Sequence, residues 1–138
     1  ISQGSSPNSN PQPEDPFMKY VDGFVIPIPK KNLKAYARIA AMAGKVWMEH
    51  GALEYRECVG EDLKMKKGMG TAFPKIAQAK AGETVVFAWI VYKSRKHRDQ
   101  VNAKVMKDPR LAKMMDPKAL PFDGKRMFWG GFKVVVEA

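Results

Sequence analysis

An acidic residue interrupts the apolar face of the first patterned segment of the chain. Asp22 falls in phase with Tyr20 and Phe24, so a strand would turn all three side chains to the same face. A carboxylate buried there would lose its hydration, which raises its pKa and suits it to act as a general base. The alternative is an ion pair with an Arg or Lys from a neighbouring strand, and we favour that alternative.

Two histidines and the single cysteine are the other residues that could carry proton transfer or nucleophilic chemistry. His97 falls in the first turn of a predicted helix, where a positive charge is unfavourable, so we expect a neutral imidazole. His50 falls at a predicted helix C-terminus, which favours a cation without any functional role. Cys58 is a candidate nucleophile, although no neighbouring base is indicated and a small buried thiol is the more common case. The catalytic candidates are therefore Asp22, His97 and Cys58.

Aromatic side chains provide a second class of candidate. Several of them fall on predicted strands, where they would either line a ligand pocket or form ordinary core or subunit interface. If two subunits form a barrel together, these interpretations merge, because the aromatic side chains on its inner wall would belong both to a pocket and to the interface. The candidate pocket residues are Tyr20, Phe87, Trp89, Tyr92 and Trp129.

Other short motifs favour structural roles. Asp108–Pro109–Arg110 and Asp116–Pro117 combine a carboxylate that caps helices with a proline that starts or stops them. Arg110 is expected to pair with a carboxylate, and residues 123–126 either bind an anion or form a charged turn before a strand. The sequence contains no Gly-rich phosphate loop, no metal-ligand spacing and no nucleophile elbow. We therefore expect no metal and no cofactor.

The length and composition indicate one soluble domain. The chain has 138 residues, 45% of them hydrophobic, and 24 Lys and Arg against 14 Asp and Glu, which gives a net charge of +10. Residues 1–17 are rich in Ser, Pro, Asn and Gln and lack any helical or strand period, so we expect a disordered leader or the remnant of an expression tag. The domain then spans residues 18–138. No apolar run is long enough to cross a membrane, and we expect a cytoplasmic protein.

Hydrophobic periodicity divides the domain into six main elements. Strands are predicted over residues 19–29, 53–59, 83–92 and 126–137, and helices over 32–50 and from Ser94 to the break at Asp108–Pro109. Asn32 and Ser94 are the expected N-caps, and Gly51 is the expected end of the first helix. A long connection over 60–82 contains a basic run at 64–67, within a loop (64–70) whose role stays open.

The order β-α-β-β-α-β predicts an α+β, ferredoxin-like fold with a four-stranded antiparallel sheet and both helices on one face. The third strand is apolar on both faces, with Val85 and Phe87 on one and Val86 and Ala88 on the other. The face without helices therefore needs a cover. We expect a homodimer in which two sheets pack face to face as a dimeric α/β barrel.

Several segments of the domain resemble one bacterial family. These are KYVDGFVIPIP at 19–29, HGALEYRECVG at 50–60, the run 83–98, and the DPR, MMDP and PFDGKR motifs within 101–126. They are similar to the YbaA-like family, DUF1428, over essentially all of residues 18–138. The resemblance implies a dimeric α/β barrel of ferredoxin-like subunits, and it implies neither an activity nor catalytic residues.

Two classes of function remain open. The first is a small-molecule site in the barrel. By analogy with the fold of dimeric α/β-barrel monooxygenases, the protein would be a cofactor-free monooxygenase or isomerase if it is an enzyme. The second is a non-enzymatic stress- or RNA-associated protein that uses its basic surface. Because Lys and Arg are spread along the domain with one short cluster, a nucleic-acid partner is disfavoured. No membrane partner is expected.

Overall fold

A computed structural model describes residues 18–138 of the chain. The prediction of a disordered leader over residues 1–17 concerns residues outside this described part. The main elements, in chain order, are β1 (Tyr20–Pro29), α1 (Leu33–Glu49), β2 (Glu54–Val59), α2 (Phe73–Ile76), β3 (Glu83–Tyr92), α3 (Arg95–Met106), α4 (Pro109–Met114) and β4 (Phe128–Lys133). Single turns of 3-10 helix at Lys30–Asn32 and Gly124–Arg126 precede α1 and β4.

The four strands form one antiparallel sheet in the order β2-β3-β1-β4. This arrangement confirms the predicted ferredoxin-like α+β fold. The two central strands pair over their whole length, from Tyr20 opposite Tyr92 to Pro29 opposite Glu83. β4 pairs with β1 from Tyr20 to Val25, so Pro27 and Pro29 lie beyond this pairing, where their missing N–H groups cost no bond to β4.

The buried core lies between the sheet and the helices. Because side chains alternate along a strand, Val86, Ala88, Ile90 and Tyr92 of β3 all turn towards α1 and α3. Two buried clusters fill this layer, one around Tyr92 and Val101 and one around Ile28 and Tyr36. The helix-covered face of the sheet is therefore the packed side of the domain.

The opposite side, here called the open face, is covered at one end only. Val25 and Val85 are buried there against Ala77, which follows the short helix α2 in the long connection. Farther along the same face, Phe87 and Phe132 are 43% and 62% exposed. The apolar character predicted for this face is thus present, and the chain itself covers part of it.

Local details agree with the predicted helix ends at most positions. The side chain of Ser94 accepts a hydrogen bond from the His97 N–H, and Asp108 accepts one from the Arg110 N–H. Gly51 has a φ of 115°, as a glycine ending a helix can adopt. Asn32 occupies the N-cap position of α1 but makes no cap hydrogen bond, which corrects the prediction. Its side-chain amide instead donates to the carbonyl of Pro121, 2.8 Å away.

Two boundaries differ from the sequence-based prediction. The last strand spans Phe128–Lys133 rather than 126–137, because Gly124–Arg126 forms a 3-10 turn and the pairing with β1 ends at Tyr20, with one further bond from the Val134 N–H to the Lys19 carbonyl. The short helix α2 was not predicted within 60–82. In the described part of the chain, none of the helices combines the length and the apolarity that crossing a bilayer requires.

Candidate small-molecule site

A carboxylate held by two tyrosines faces the helix side of the sheet. On β2, alternation turns Tyr55, Glu57 and Val59 towards α1, so Glu57 interrupts an apolar strand face. The hydroxyl of Tyr36, on α1, donates a hydrogen bond of 2.6 Å to Glu57 Oε1. The hydroxyl of Tyr55 donates one of 2.6 Å to Oε2. Each oxygen of the carboxylate is thereby held by one phenol, and we call this arrangement the Tyr36–Glu57–Tyr55 cluster.

The position of Tyr55 depends on a glycine in α1. A Cβ added at Gly44 would lie 2.8 Å from Cδ1 of Tyr55, closer than carbon atoms can approach without a shift. Gly44 is buried, and its missing side chain lets the Tyr55 ring lie directly against the helix. The ring of Trp47 is tilted against the same Tyr55 ring, with centroids 6.2 Å apart. Gly44, together with Ala40 and Ala43 on the same helix, thus leaves room for the aromatic rings.

The cluster borders an apolar cavity of about 130 Å³ between the sheet, α1 and α4. This is close to the roughly 150 Å³ of an engineered protein cavity that takes up benzene. Its walls are almost entirely aliphatic and aromatic, and the two charged residues at its border are Glu57 and Arg56. The residues around it include Phe24, Ile39, Ala43, Met114, Leu120 and Phe122. A groove along the outer side of α1 shares Tyr36, Tyr55 and Glu57 with the cavity.

The segment that follows α4 covers the cavity and is anchored at two points. The Asn32 amide donates to the Pro121 carbonyl, and the Phe122 ring meets Tyr36 edge-on at 5.6 Å between centroids. α4 is itself fastened to the end of α1. Asp108 lies 2.9 Å from Nε2 of His50, and Arg110 bonds both Asp108 and Glu49.

The electrostatics of the cluster keep both phenols protonated. Burial raises the pKa of Tyr36 and of Tyr55, and the negative charge of Glu57 raises each further. Both hydroxyls therefore act as hydrogen-bond donors at neutral pH. A carboxylate offers about four acceptor positions and two are used here, so Glu57 keeps acceptor capacity for a bound molecule.

The predicted candidate Asp22 takes part in a different network. It is 1% exposed, and Arg98 of α3 donates to its Oδ1 over 2.6 Å. The ion pair favoured for Asp22 is thus present, although its cation comes from a helix and not from a neighbouring strand. Burial raises the pKa of Asp22, while Arg98 and the Asn102 amide act in the opposite direction. Asn102 also accepts hydrogen bonds from Trp47 and Tyr92, so the network joins α1, β1, β3 and α3.

The other catalytic candidates lie apart from the cavity. Burial, Lys93 and Lys104 lower the pKa of His97, which is the direction expected for a neutral imidazole, and its Nδ1 accepts from the Lys93 N–H. Nε2 of His50 lies 2.9 Å from the Asp108 carboxylate, at the junction of α1 and α4. Cys58 is half-buried on β2, in the alternate phase to Glu57, and so turns to the open face.

The five aromatic candidates do not form one pocket. Phe87 and Trp89 turn to the open face, where the Trp89 indole donates to Glu54 and its ring meets Phe87. Tyr20, Tyr92 and Trp129 turn to the helix-covered face. Tyr92 is fully buried in the core, and Trp129 stacks on Phe24. Strand alternation separates the two groups. Of the five residues, Trp89 is the one that borders the cavity, although its ring turns to the open face.

Sequence reasoning missed the three residues that form the cluster. Tyr36 and Tyr55 fall within apolar stripes of α1 and β2, where they resemble ordinary core residues, and Glu57 follows Tyr55 by two positions. The signal that could have found Glu57 is the one that marked Asp22, an acidic residue in phase with the apolar side of a strand. Among residues 18–138, no group of three or more His, Cys, Asp or Glu side chains is arranged to hold a metal ion.

The fold and the site define a ferredoxin-like α+β protein with an apolar cavity bordered by a carboxylate between two tyrosines. Comparison with known proteins then places the chain in the family described as "Protein of unknown function (DUF1428)", whose model matches residues 19–124. The chain belongs to this family, as the sequence resemblance predicted. It is 42% identical over 120 residues to the "Uncharacterized protein YbaA" of Escherichia coli K12 and, equally, of Shigella flexneri, covering 87% of this chain and 99% of each relative.

One solved structure also aligns with most of the chain. It is a de novo designed protein, Foldit4, with a TM-score of 0.40 and 8% sequence identity, covering 86% of this chain and 99% of the designed one.

Proposed function

We propose that this protein binds a small, largely apolar molecule in the cavity beside the Tyr36–Glu57–Tyr55 cluster. The observation that carries the proposal is the cluster itself, a carboxylate held by two phenols at the wall of an apolar cavity. An apolar cavity with a few convergent polar groups is the usual form of a small-molecule site. The apolar walls would take up the body of the molecule, and Glu57 would accept a hydrogen bond from it.

Small side chains on α1 support this proposal. Ala40 and Ala43 face the cavity at positions where a larger aliphatic residue would fill it. The space is therefore left open by residue choice along α1, and a ring-sized molecule matches its volume. In this proposal the site lies between the sheet and the helices, and not in the space between two sheets that the sequence suggested.

A thermal-shift and NMR screen of small monocyclic aromatic compounds tests the proposal. A molecule that binds the folded state raises its apparent stability by mass action, so we expect several of these compounds to raise the Tm. Ala43→Leu fills the cavity and should abolish the shift. Ala103→Leu, at an exposed position of α3, is the matched control and should leave binding unchanged. Absence of any shift with the wild-type chain, or equal shifts with Ala43→Leu, would refute the proposal.

We also propose that two copies pair through the open face to form the dimeric α/β barrel. Phe87, Phe128 and Phe132 expose much of their apolar surface there. Burying one such side chain contributes roughly 1.5–3 kcal/mol, so a second copy that covers several of them offsets a large part of the cost of association. A matching sheet of a second chain has the shape to cover this face.

Light scattering coupled to size exclusion tests the pairing. We expect a mass of about twice the 15.5 kDa chain, and Phe132→Glu should shift it to that of one chain, because it places a charge in the centre of the interface. Met42→Glu is the control, since Met42 is 55% exposed on α1 and lies on the other side of the sheet. A wild-type mass of one chain at micromolar concentration would contradict the pairing.

A further inference from the structure

The carboxylate at the cavity has no cationic partner. Among residues 18–138, the ion pairs join other acidic residues to Lys, Arg or His, and none of them includes Glu57. The adjacent Arg56 turns to the opposite face of β2 and donates to the Tyr55 carbonyl. Lys45 borders the outer groove and is exposed. Glu57 is thus half-buried with two neutral donors and with its charge uncompensated.

Aromatic rings surround this charge. Tyr36 and Tyr55 flank Glu57 itself, and Trp47, Phe24 and Phe122 line the same cavity. Two pairs of these rings are in contact, Trp47 tilted against Tyr55 and Phe122 edge-on against Tyr36. The faces of aromatic rings carry partial negative charge and attract cations within about 6 Å. A cation that meets the face of one of these rings would be attracted both by that ring and by the Glu57 carboxylate.

We propose that the ligand of this site is a small organic cation, a protonated primary or secondary amine on an apolar body. The inference rests on the proposed function and adds the chemical class of the ligand. The N–H groups of an ammonium would donate to the acceptor positions that the two phenols leave free on Glu57. A quaternary ammonium lacks such donors, so it would gain the ring contacts without the hydrogen bonds.

The net charge of the whole chain does not oppose this preference at the site. The charge of +10 is distributed along the sequence, and salt screens charges beyond roughly 8 Å at physiological ionic strength. Two charged residues border the cavity, Glu57 and Arg56, and strand alternation turns Glu57 towards the helices and the Arg56 side chain to the opposite face of β2. The preference for a cation is therefore set locally.

Benzylamine and benzyl alcohol form a matched pair of probes. They share the ring and differ in the charge of the donor group, and their affinities for the wild-type chain are measured by NMR titration at pH 7. Both probes would donate to the Glu57 carboxylate, but only the ammonium adds an opposite charge to that hydrogen bond, so we expect benzylamine to bind about tenfold more tightly, which corresponds to about 1.4 kcal/mol. Glu57→Gln keeps the shape of the side chain and removes its charge, and should bring the ratio close to one. Circular dichroism checks that this variant is folded.

The outcomes separate the two proposals. If the two probes bind the wild-type chain equally, or if Glu57→Gln is folded and retains the tenfold preference, the ligand is not selected as a cation, while the cavity still binds small molecules. If neither these probes nor neutral aromatic compounds bind, both proposals fail. The comparison of the two probes on the wild-type chain needs no variant, so a Glu57→Gln chain that does not fold leaves that test intact.

Discussion

Arg98 of α3 reaches across the core and donates a hydrogen bond of 2.6 Å to Asp22 of β1. Asp22 is 1% exposed, while the Arg98 side chain is 13% exposed and its guanidinium also lies 4.9 Å from the centre of the Tyr20 ring. The pair joins the second long helix to a central strand. The Asp22 carboxylate is the more deeply buried partner, so the free energy of unfolding falls more when Asp22 loses its partner than when Arg98 does.

Removing the cation is therefore expected to cost more than removing the anion. Arg98→Met leaves a buried, uncompensated carboxylate and should destabilise the fold by about 3 kcal/mol or more, whereas Asp22→Asn should cost about 1–3 kcal/mol. Urea denaturation measures both. Asp99→Asn removes the exposed partner of Arg98 and, as a control, should change stability by less than about 0.5 kcal/mol. An Arg98→Met cost no larger than that of Asp22→Asn would contradict this assignment.

The two phenols of the Tyr36–Glu57–Tyr55 cluster should act on stability together. Tyr36→Phe and Tyr55→Phe each remove one hydrogen bond to a charged group, and each should cost about 2 kcal/mol by chemical denaturation. The double variant leaves the carboxylate without either donor, so its cost should exceed the sum of the single costs. Additivity to within about 0.5 kcal/mol would show that the two phenols do not share Glu57.

Gly44 is expected to resist replacement by alanine. In an exposed helix interior, alanine stabilises by about 1 kcal/mol over glycine, and Ala41→Gly at an exposed position of α1 measures this effect in the same helix. At position 44 the added Cβ meets the Tyr55 ring, and such overpacking costs about 1–3 kcal/mol. Gly44→Ala should therefore fail to stabilise, and it should weaken binding of aromatic probes. A gain of about 1 kcal/mol would show that Tyr55 does not lie against the helix.

Acid sensitivity is expected at the ion pair that holds the turn before β4. Arg126 donates two hydrogen bonds to the Glu83 carboxylate and, with the Lys80 N–H, lowers the Glu83 pKa from 4.5 to about 2. A folded-state pKa below the unfolded one contributes stability that is present above pH 4.5 and is lost as the pH falls towards 2. The Tm difference between the wild-type chain and Glu83→Gln should therefore be largest above pH 5 and should shrink towards pH 2. A difference that stays constant over this range would show that Glu83 does not titrate in this way.

Local patterns in the sequence determined the framework of this protein. The bounds of β3, the caps at Ser94 and Asp108 and the left-handed Gly51 all follow from residues within a few positions of one another. Strand alternation and helix periodicity then set which side chains share a face. The order of the elements predicted the ferredoxin-like sheet, because connections of these lengths permit few arrangements.

Only the tertiary structure decided where the candidate site lies. Tyr36 and Glu57 are 21 positions apart, and Asn32 meets Pro121 across 89 positions, so no local pattern brings them together. Alternation predicted that Phe87 and Tyr92 turn to opposite faces, but not which face would hold a cavity. That outcome depends on how the volumes of distant side chains fill the space between α1 and the sheet. The sequence alone shows that Asp22 and Glu57 fall on apolar strand faces. Packing decides that Asp22 pairs with the cation of Arg98, whereas Glu57 is held by two neutral phenols.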